Sequence, residues 1–411
     1  MRARSRLFGA FCLAILILAV GTAHGESTGS IVAWEENGFG QCSVPAPNED
    51  FIAVAGGCFH SLGLKSDSTI VAWGWNESGE CNVPAPNADF IAVAGGVFHS
   101  LGLKSDGTIV AWGNNDYGQC NVPAPNEDFI AVAGGGGYSL GLKSDSTIVA
   151  WGWNDLGQCD VPAPNEGFIA VAGCGDYSLG LKSDSSIVAW GDNYAGQCDV
   201  PAPNEDFIAV AAGWDATSLG LKSDGTIVAW GDNQFGQCDV PAPNEGFIAV
   251  AAGWDHSLGL KSDGTIVAWG GNDLGQCNVP APNEDFIAVA GGGGHSLGIK
   301  SSSITSVEEP RPDHTPRAAT LAIHSLAPNP FNPSLEISLE SRISGLVTME
   351  IYDMSGRHVR TVPLGELGPG FHRARWDGRD ESGANVSSGV YFIRLQNPAG
   401  ASAAAKALLI R

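Results

Sequence analysis

The chain has 411 residues, with 44 acidic against 21 basic side chains and a formal net charge of −23. A length of this order leaves room for a sizeable core, and 44% apolar with 16% charged residues exclude wholesale disorder. Residues 26–303 hold 33 Asp and Glu against 7 Lys and no Arg, a balance that repels phosphate backbones and excludes nucleic-acid binding.

The first 25 residues predict a secretory signal peptide. Arg2, Arg4 and Arg6 precede an apolar run over residues 7–20, and small residues follow as far as Gly25. A charged segment, a short apolar segment and a small-residue cleavage site form this signal. The run is too short for a comfortable membrane span, so we expect an exported, soluble protein; an uncleaved anchor is the weaker alternative.

Residues 26–303 contain a repeat of 39 residues. The tetrapeptide Ile-Val-Ala-Trp occurs seven times, in steps of 39 except for one of 40, and ends at Trp34, Trp73, Trp112, Trp151, Trp190, Trp230 and Trp269. Phe-Ile-Ala-Val-Ala also occurs seven times, each time followed by Ser-Leu-Gly-Leu-Lys-Ser or its Ile299 variant. These apolar runs predict three strands, and Ser-Asp-Gly-Thr predicts the hairpin turn between the last two. Val-Pro-Ala-Pro-Asn predicts a connector, because proline disfavours helix and central strand alike.

The period and the two ends of the repeat region predict a closed architecture. Three strands, with a short outer one around Gln-Cys-x-Val, make a blade, and a period near 40 is typical of a β-propeller. The first copy begins at the tetrapeptide ending at Trp34, whereas the last ends with the segment after Phe286, so each end is half a blade. The sequence therefore predicts an all-β fold, a seven-bladed β-propeller closed by the N-terminal strand.

Residues 99–119, His-Ser-Leu-Gly-Leu-Lys-Ser-Asp-Gly-Thr-Ile-Val-Ala-Trp-Gly-Asn-Asn-Asp-Tyr-Gly-Gln, resemble the regulator-of-chromosome-condensation (RCC-type) repeat, as do the other six copies. They look most like its bacterial exported version. The resemblance implies a seven-bladed propeller and, from the eukaryotic founders, chromatin binding and guanine-nucleotide exchange. We do not carry those activities over, because the acidity opposes chromatin, export opposes a nuclear partner and no insertion is long enough for an exchange wedge.

Variation among the repeats is concentrated in two loops per blade. Because strands alternate in direction, the loops after Phe-Ile-Ala-Val-Ala and after Ile-Val-Ala-Trp share one end of the blade, here called the loop face, and the Ser-Asp turn and the connector share the connector face. The connector face is nearly identical in all copies, whereas the loop face carries different aromatic and acidic residues. The predicted binding residues there are Phe39, Trp75, Tyr117, Trp153, Tyr194, Trp214, Trp254, Phe235, Asp215 and Asp255.

Aromatic side chains on rigidly held loops are typical anchors of interfaces. The aspartates would favour a cationic partner or weak Ca²⁺ association. The alternative is neutral drift after duplication, with the aromatic rings packing on neighbouring loops.

The repeated His and Cys residues favour structural roles. His60, His99, His256 and His295 share one repeat position with Tyr138, Tyr177 and Thr217, and a catalytic base is not normally exchangeable with Tyr and Thr. Seven equivalent cysteines lie too far apart on a ring for disulfides and are expected to be small buried hydrophobes; Cys58 and Cys174 are not expected to meet. Zinc-ligand spacing and a nucleophile–base set are absent, so we predict no catalytic residue, no metal site and no cofactor.

Residues 304–320 predict a linker, and residues 321–411 a small Ig-like β-sandwich. Apolar or alternating runs at residues 335–339, 347–352, 372–376, 390–395 and 407–410 are separated by turn residues. Pro328-Asn329-Pro330-Phe331-Asn332-Pro333, Trp376-Asp377-Gly378-Arg379-Asp380 and Ser388-Gly389-Val390-Tyr391-Phe392 resemble the Ig-like domain of the flagellar hook-capping protein and the sorting domains of the type IX (Por) secretion pathway. The resemblance implies a contact with secretion machinery; an ordinary Ig-like spacer is the alternative.

Together these observations predict an exported, non-enzymatic binding or adhesion protein of the bacterial surface. Its loop face would recognise a protein or glycan partner, and its tail would direct secretion or attachment. The alternatives are a secreted enzyme inhibitor, as implied by an RCC-type propeller that blocks β-lactamase, an exported hydrolase or lyase, and an exchange factor.

Overall fold

A computed structural model describes residues 28–301, 321–327, 334–341, 344–353, 357–368, 370–386, 389–396 and 402–409. The predicted signal peptide and linker lie outside these residues. The chain divides into two compact units, the first holding residues 28–301 and the second the described residues from Leu321 onward. Within the described ranges, all regular structure is β-strand, and no helix of a length and apolarity suited to crossing a membrane is present.

The first unit consists of three-stranded antiparallel groups, five of them separate sheets and two joined into one six-stranded sheet. Their strands are β1 (Gly29–Glu35); β2 (Phe51–Gly56), β3 (His60–Lys65) and β4 (Ile70–Gly74); β5 (Phe90–Gly95), β6 (His99–Lys104) and β7 (Ile109–Gly113); β8 (Phe129–Gly134), β9 (Tyr138–Lys143) and β10 (Ile148–Gly152); β11 (Phe168–Cys174), β12 (Tyr177–Lys182) and β13 (Ile187–Gly191); β14 (Phe207–Ala212), β15 (Thr217–Lys222) and β16 (Ile227–Gly231); β17 (Phe247–Ala252), β18 (His256–Lys261) and β19 (Ile266–Gly270); β20 (Phe286–Gly291) and β21 (His295–Ser301).

The first strand of the chain pairs with the last strand of the repeats. β1 runs antiparallel to β21 from Gly29↔Ser301 to Glu35↔His295, so it forms a sheet with β20 and β21. A single further bridge, Gly29↔Phe51, connects β1 to β2. Strand β2 also lies against β20 and β21, which brings the first complete repeat beside the last one.

The apolar residues of the repeat fill the space between consecutive sheets. Leu62 and Leu64 of one sheet pack with Phe90, Val93 and Trp112 of the next. Burying side chains of this size stabilises a fold by about 1.5–3 kcal/mol each, and the motif supplies the same set at every junction. The prediction that the repeated tryptophans form core between blades is confirmed, since all seven are nearly buried.

The predicted outer strand around Gln-Cys-x-Val is wrong: within residues 28–301 these segments are turns. The reason is that their backbone groups are bound elsewhere. The carbonyl of Gln41 accepts hydrogen bonds from Trp73 Nε1 at 2.8 Å and from Ser61 Oγ at 2.9 Å, and the Ser43 amide donates to Gly40. The sheets therefore have three strands, with this turn docked on the side chains of the following sheet.

The second unit has two sheets. Its strands are β22 (Leu321–Ala327), β23 (Leu335–Ser341), β24 (Gly345–Asp353), β25 (His358–Leu367), β26 (Gly370–Trp376), β27 (Gly389–Gln396) and β28 (Ser402–Leu409). The sheet orders are β22-β23-β26 and β25-β24-β27-β28. Side chains from both sheets form one core, in which Trp376 and Tyr391 meet edge to face at 4.9 Å.

Two strands of the second unit were not predicted. β22 precedes the first expected run, and β25 contains Pro363 and Gly365, which favour turns. β25 lies at the edge of its sheet, where proline is tolerated because its missing N–H faces outward. The ladder accommodates it through an irregularity between Val347 and Thr348 of β24.

Candidate functional site

The strand register places the two variable loops at the same end of each sheet. The start of β3 pairs with the end of β4 through His60↔Gly74, and the amide of Trp75 donates to the carbonyl of Phe59 at 2.9 Å. The loop after β2 and the loop after β4 therefore lie side by side. The hairpin turn and the connector meet at the other end, where Ser66 donates to Asp50. The predicted division into loop face and connector face is confirmed.

The connector face is held by recurring polar contacts, of which the lysine-to-proline bond is found in six repeats and the others in all seven. Lys65 Nζ lies 5.0 Å from the ring centre of Phe51 and donates to the carbonyl of Pro47 at 3.2 Å. The amide of Asn48 bonds both backbone groups of Ile31. All seven lysines of residues 28–301 sit over a phenylalanine in this way. The lysine ammonium groups of the repeats therefore all lie at the connector face.

Exposed large apolar side chains are concentrated on the loop face. Within residues 28–301 nine such side chains are exposed. Eight of them lie in the variable loops: Phe39, Phe98, Tyr117, Leu156, Tyr194, Phe235, Trp254 and Leu274. The ninth, Ile91, lies on strand β5. Apart from Ile91, the strands and the connector face expose no large apolar side chain within residues 28–301, so this exposure is a property of the loop sequences.

The aromatic rings of one sector form a continuous cluster across neighbouring loops. Phe39 packs edge to face on Trp75 with ring centres 4.6 Å apart, and on Phe59 at 5.4 Å. Phe59 in turn contacts Phe98 at 6.0 Å. These four residues, here called the aromatic cluster, combine half-buried rings with the exposed ones of Phe39 and Phe98. The packing of rings on neighbouring loops, weighed above as an alternative to binding, thus coexists with an exposed apolar surface.

Two further aromatic pairs occupy other sectors. The ring centres of Tyr117 and Trp153 are 5.7 Å apart, and those of Trp214 and Trp254 are 6.3 Å apart. Trp254 Nε1 donates to Asp215 Oδ1 at 2.6 Å. Asp255 is bound to its own sheet through the Gln276 amide at 2.9 Å, and Phe235 is exposed without a ring partner among residues 28–301. The ten predicted residues therefore share the loop face but form separate groups.

Four aspartates surround the most exposed of these aromatic residues, Tyr194, which is 75% exposed. Burial and the charges of Asp215, Asp232, Asp192 and Asp176 raise the pKa of the Tyr194 hydroxyl. Burial, then the neighbouring Asp192, raises the pKa of Asp176. Burial, with Asp255 and Asp232, raises the pKa of Asp215 despite its bond from Trp254. The four carboxylates near Tyr194 are here called the aspartate group: Asp176, Asp192, Asp215 and Asp232. They lie close enough together to repel one another.

The repeated histidines are buried structural groups. His60 and His99 are 0% exposed, and each Nε2 lies 2.9 Å from a serine hydroxyl of the next sheet, Ser100 and Ser139. Ser100 Oγ donates to the carbonyl of Glu80, so the histidine must donate through Nε2. Its Nδ1 then has no hydrogen-bond partner. Burial lowers the pKa of His60 to about 4, and that of His99 and His295 to about 3.

The expectation that the seven equivalent cysteines are small buried hydrophobes is wrong. They are half-buried, and each thiol donates to a backbone carbonyl of its own loop, as Cys42 does to Glu36 at 3.3 Å. Burial, with Glu35 and Glu36, raises the pKa of Cys42 to about 12. All nine cysteines of residues 28–301 are free. Cys58 is buried, and Cys174 lines the central cavity.

The innermost strands surround a central cavity of about 140 Å³. Small side chains and glycines at or next to strands β2, β5, β8, β11, β14, β17 and β20 line it, together with Cys174 and Trp214. Its wall, formed within residues 28–301, holds no titratable cluster. In the part of the chain that the structure describes, no three His, Cys, Asp or Glu side chains are grouped so as to hold a metal ion.

The predicted binding residues omit several side chains of the loop face. Phe59 and Phe98 join the aromatic cluster, and Leu156 and Leu274 are exposed at the repeat position of Phe39. The two leucines could have been identified in the sequence, because they share the repeat position of Phe39. The position two residues further on holds Gln in six repeats and Glu80 in one, a difference that sequence reasoning also passed over.

Two sequence families match parts of the chain. Residues 90–119, 207–237 and 247–276 match the regulator of chromosome condensation (RCC1) repeat, and residues 331–400 match the FlgD Ig-like domain. The basal-body rod modification protein FlgD of Salmonella typhimurium is 45% identical over 49 residues, 12% of this chain and 21% of that protein. The chain therefore spans about a fifth of the length of the curated FlgD relatives it matches.

Solved structures show the same architecture for the first unit. Prp20p of Saccharomyces cerevisiae, studied for its binding to Gsp1p and histones, is 18% identical with a TM-score of 0.56, covering 69% of this chain and 94% of its own. Human WBSCR16 is 18% identical with a TM-score of 0.53, covering 67% and 99%. At these identities the likeness shows the fold alone, an RCC1-like propeller.

Proposed function

We propose that the protein is an exported, non-enzymatic binding protein. Its repeats would form a closed ring of seven blades that recognises a protein or glycan partner through the loop face. The second unit would serve secretion or surface attachment. The observation that carries the proposal is the confinement of exposed large apolar side chains, eight of nine within residues 28–301, to one end of the sheets.

Ring closure is supported by the pairing of β1 with β21 and by the contact of β2 with β20. A closed ring holds its loops in fixed relative positions, so residues from several sheets can act together on one partner. Such preorganisation raises affinity, because little conformational freedom is lost on binding.

The aromatic side chains are suited to anchoring a partner. Trp and Tyr dominate the energetics of interfaces, and replacing a central one by Ala typically costs about 2 kcal/mol or more of binding free energy. Trp75, Trp153, Trp214 and Trp254 lie in four different loops and are each supported by a neighbouring ring. We expect the partner to contact several of them at once.

The test is a variant with Trp75→Ala, Trp153→Ala, Trp214→Ala and Trp254→Ala, used as bait on the envelope and growth medium of the producing organism. We expect loss of stoichiometric capture with the melting temperature nearly unchanged, since these rings lie outside the core between the sheets. Ile91→Ala, which removes an exposed apolar group elsewhere, is the control and should capture normally. Unchanged capture by the Trp variant, or loss of its fold, would defeat the assignment.

The absence of catalysis is supported by the state of the repeated titratable groups. The buried histidines have lowered pKa values and bind serines of the next sheet, which suits packing and opposes proton transfer at neutral pH. Raised thiol pKa values oppose nucleophilic cysteine chemistry. Hydrolase, lyase and nucleotide-exchange assays on the purified protein should all be negative, and robust turnover in any of them would contradict this part of the proposal.

Export and attachment are supported by the charged and apolar pattern of residues 1–25 and by the match to an Ig-like domain. The test compares the full chain with a chain ending at residue 303. We expect both to lose residues 1–25, as mass spectrometry of the purified protein would report. Only the full chain should reach the medium or the cell surface. If both chains reach these locations equally, the Ig-like unit has no role in secretion or attachment and is a spacer.

A further inference from the structure

The carboxylates of the loop face lack any counter-charge of their own. Residues 28–301 contain no arginine, and their seven lysines are held over phenylalanines at the connector face. In this range the one carboxylate within 4 Å of a basic side chain is that of Asp255, whose Oδ1 lies 3.8 Å from Nδ1 of the buried His256. The carboxylates of the aspartate group therefore lie near one another without a cation from residues 28–301.

The two faces are both acidic, but their carboxylates are not equivalent. On the connector face, Asp106 Oδ1 accepts bonds from the amide of Thr108 at 3.0 Å and from its hydroxyl at 2.7 Å. These bonds lower the pKa of Asp106, and the same turn recurs in other repeats. On the loop face, burial and like charge raise the pKa of Asp176 and Asp215. An incoming cation would thus relieve the repulsion at Asp176 and Asp215, whereas hydrogen bonds already lower the pKa of Asp106 and, on the loop face, of Asp255.

A buried carboxylate also lies in a loop that contributes to the aromatic cluster. Glu80 replaces the Gln of the other repeats inside the loop that carries Trp75, and it is 0% exposed. Its Oε2 accepts the amide of Ser78 at 3.0 Å, whereas its Oε1 has no hydrogen-bond partner. Of the matching glutamines, Gln119 donates to Asn114 at 2.8 Å, whereas Nε2 of Gln41, Gln158 and Gln237 also lacks a hydrogen-bond partner. A buried oxygen without a hydrogen-bond partner costs stability, and a cationic donor approaching this loop would offset part of that cost.

We propose that the occupant of the loop face is a polypeptide segment that combines Lys or Arg with apolar side chains. This rests on the proposed function and specifies its partner. The apolar side chains lie against the aromatic cluster, and the cationic groups lie against the aspartate group and over the rings of Trp and Tyr. Cations are attracted to aromatic faces and to carboxylates together. A glycan offers no positive charge, and an acidic one would be repelled.

The experiment uses the full chain, immobilised, and a displayed library of random peptides about a dozen residues long at near-physiological salt. We expect enriched peptides to carry net positive charge together with aromatic or aliphatic residues. Their affinities are then measured against three variants. The first carries Asp176→Asn, Asp215→Asn and Asp232→Asn, in which the side-chain amide oxygen introduced at position 215 can still accept from Trp254. The second is Glu80→Gln, the residue of the other six repeats.

The third variant carries Asp106→Asn, Asp145→Asn and Asp224→Asn on the connector face, which changes the total charge by the same amount. We expect the loop-face variant to bind roughly tenfold more weakly, a size usual for several charge pairs, and Glu80→Gln to bind a few-fold more weakly while melting no lower than the parent. The connector-face variant should bind like the parent. Equal weakening by both triple variants would reduce the effect to overall charge and overturn the proposal.

Failure of this proposal is distinguishable from failure of the proposed function. Enrichment of neutral or acidic peptides that still requires the four tryptophans would overturn the cationic partner and leave the binding face in place. Binding to a glycan array without any peptide enrichment would do the same. Enrichment that persists without the tryptophans, or no enrichment and no glycan binding, would overturn both.

Discussion

Acid should destabilise the repeat unit through its buried histidines, and the chain contains the substitution that tests this. His60, His99 and His295 occupy a position where other repeats carry Tyr138 and Tyr177, whose hydroxyls donate to carbonyls of the next sheet. The perturbation is the triple change of these three histidines to Tyr. It keeps a hydrogen bond between the sheets and removes the groups that titrate.

The magnitude follows from the pKa values. The histidines stay neutral in the folded protein until the pH falls to about 4 for His60 and about 3 for His99 and His295. In the unfolded chain they take up protons below their ordinary pKa of 6.5. The unfolded state therefore binds more protons in this window, and stability falls as the pH falls. Between pH 7.5 and 4.5 each histidine should remove about 2.5 kcal/mol, so the three remove about 8 kcal/mol.

A loss of this size is comparable with the whole stability of a typical domain. The assay is chemical denaturation at pH 7.5 and 4.5, followed by the fluorescence of the buried tryptophans. We expect the parent to lose far more stability than the triple Tyr variant, while carboxylate titration affects both alike. Equal pH sensitivity of the two proteins would refute the assignment of neutral, buried histidines.

Three further predictions concern packing, surface contacts and thiols. Gly96→Ala should cost at least about 2 kcal/mol of unfolding free energy, because a Cβ there would lie 2.1 Å from His99 Cε1. The control in the same denaturation assay is Gly38→Ala, where a Cβ would have nothing within 4 Å. Its unfolding free energy should change little. Lys104→Met should cost only about 0.5–1 kcal/mol, since it removes the cation over Phe90 but keeps the apolar stem; a larger loss in thermal melts would assign the lysine a core role. Thiol labelling near pH 8 should be slow in the native protein, because burial raises the cysteine pKa values. After unfolding without a reductant, all nine cysteines of residues 28–301 should react as free thiols.

Much of the fold followed from local pattern. Short β-branched runs, a Ser-Asp turn and a double-proline connector recur in the same order, and each excludes helix for its own reason. Antiparallel alternation then assigns every loop to one of two ends, which is why the loop face could be located without coordinates. Strand β25 was missed because Pro363 is acceptable only at a sheet edge, and edge position depends on partners distant in the chain.

The division between sequence and tertiary structure is clearest at the loop face. The sequence alone determined which residues lie there, because a period of 39 residues and alternating strands fix the end of the sheet for each loop. Contacts between sheets decided the rest: the ring packing of Phe39 on Trp75, the bond from Trp254 to Asp215 and the unpartnered oxygen of Glu80. These contacts join residues from different loops or depend on burial. Their distances and accessibility are set by how the sheets pack, which no local pattern specifies.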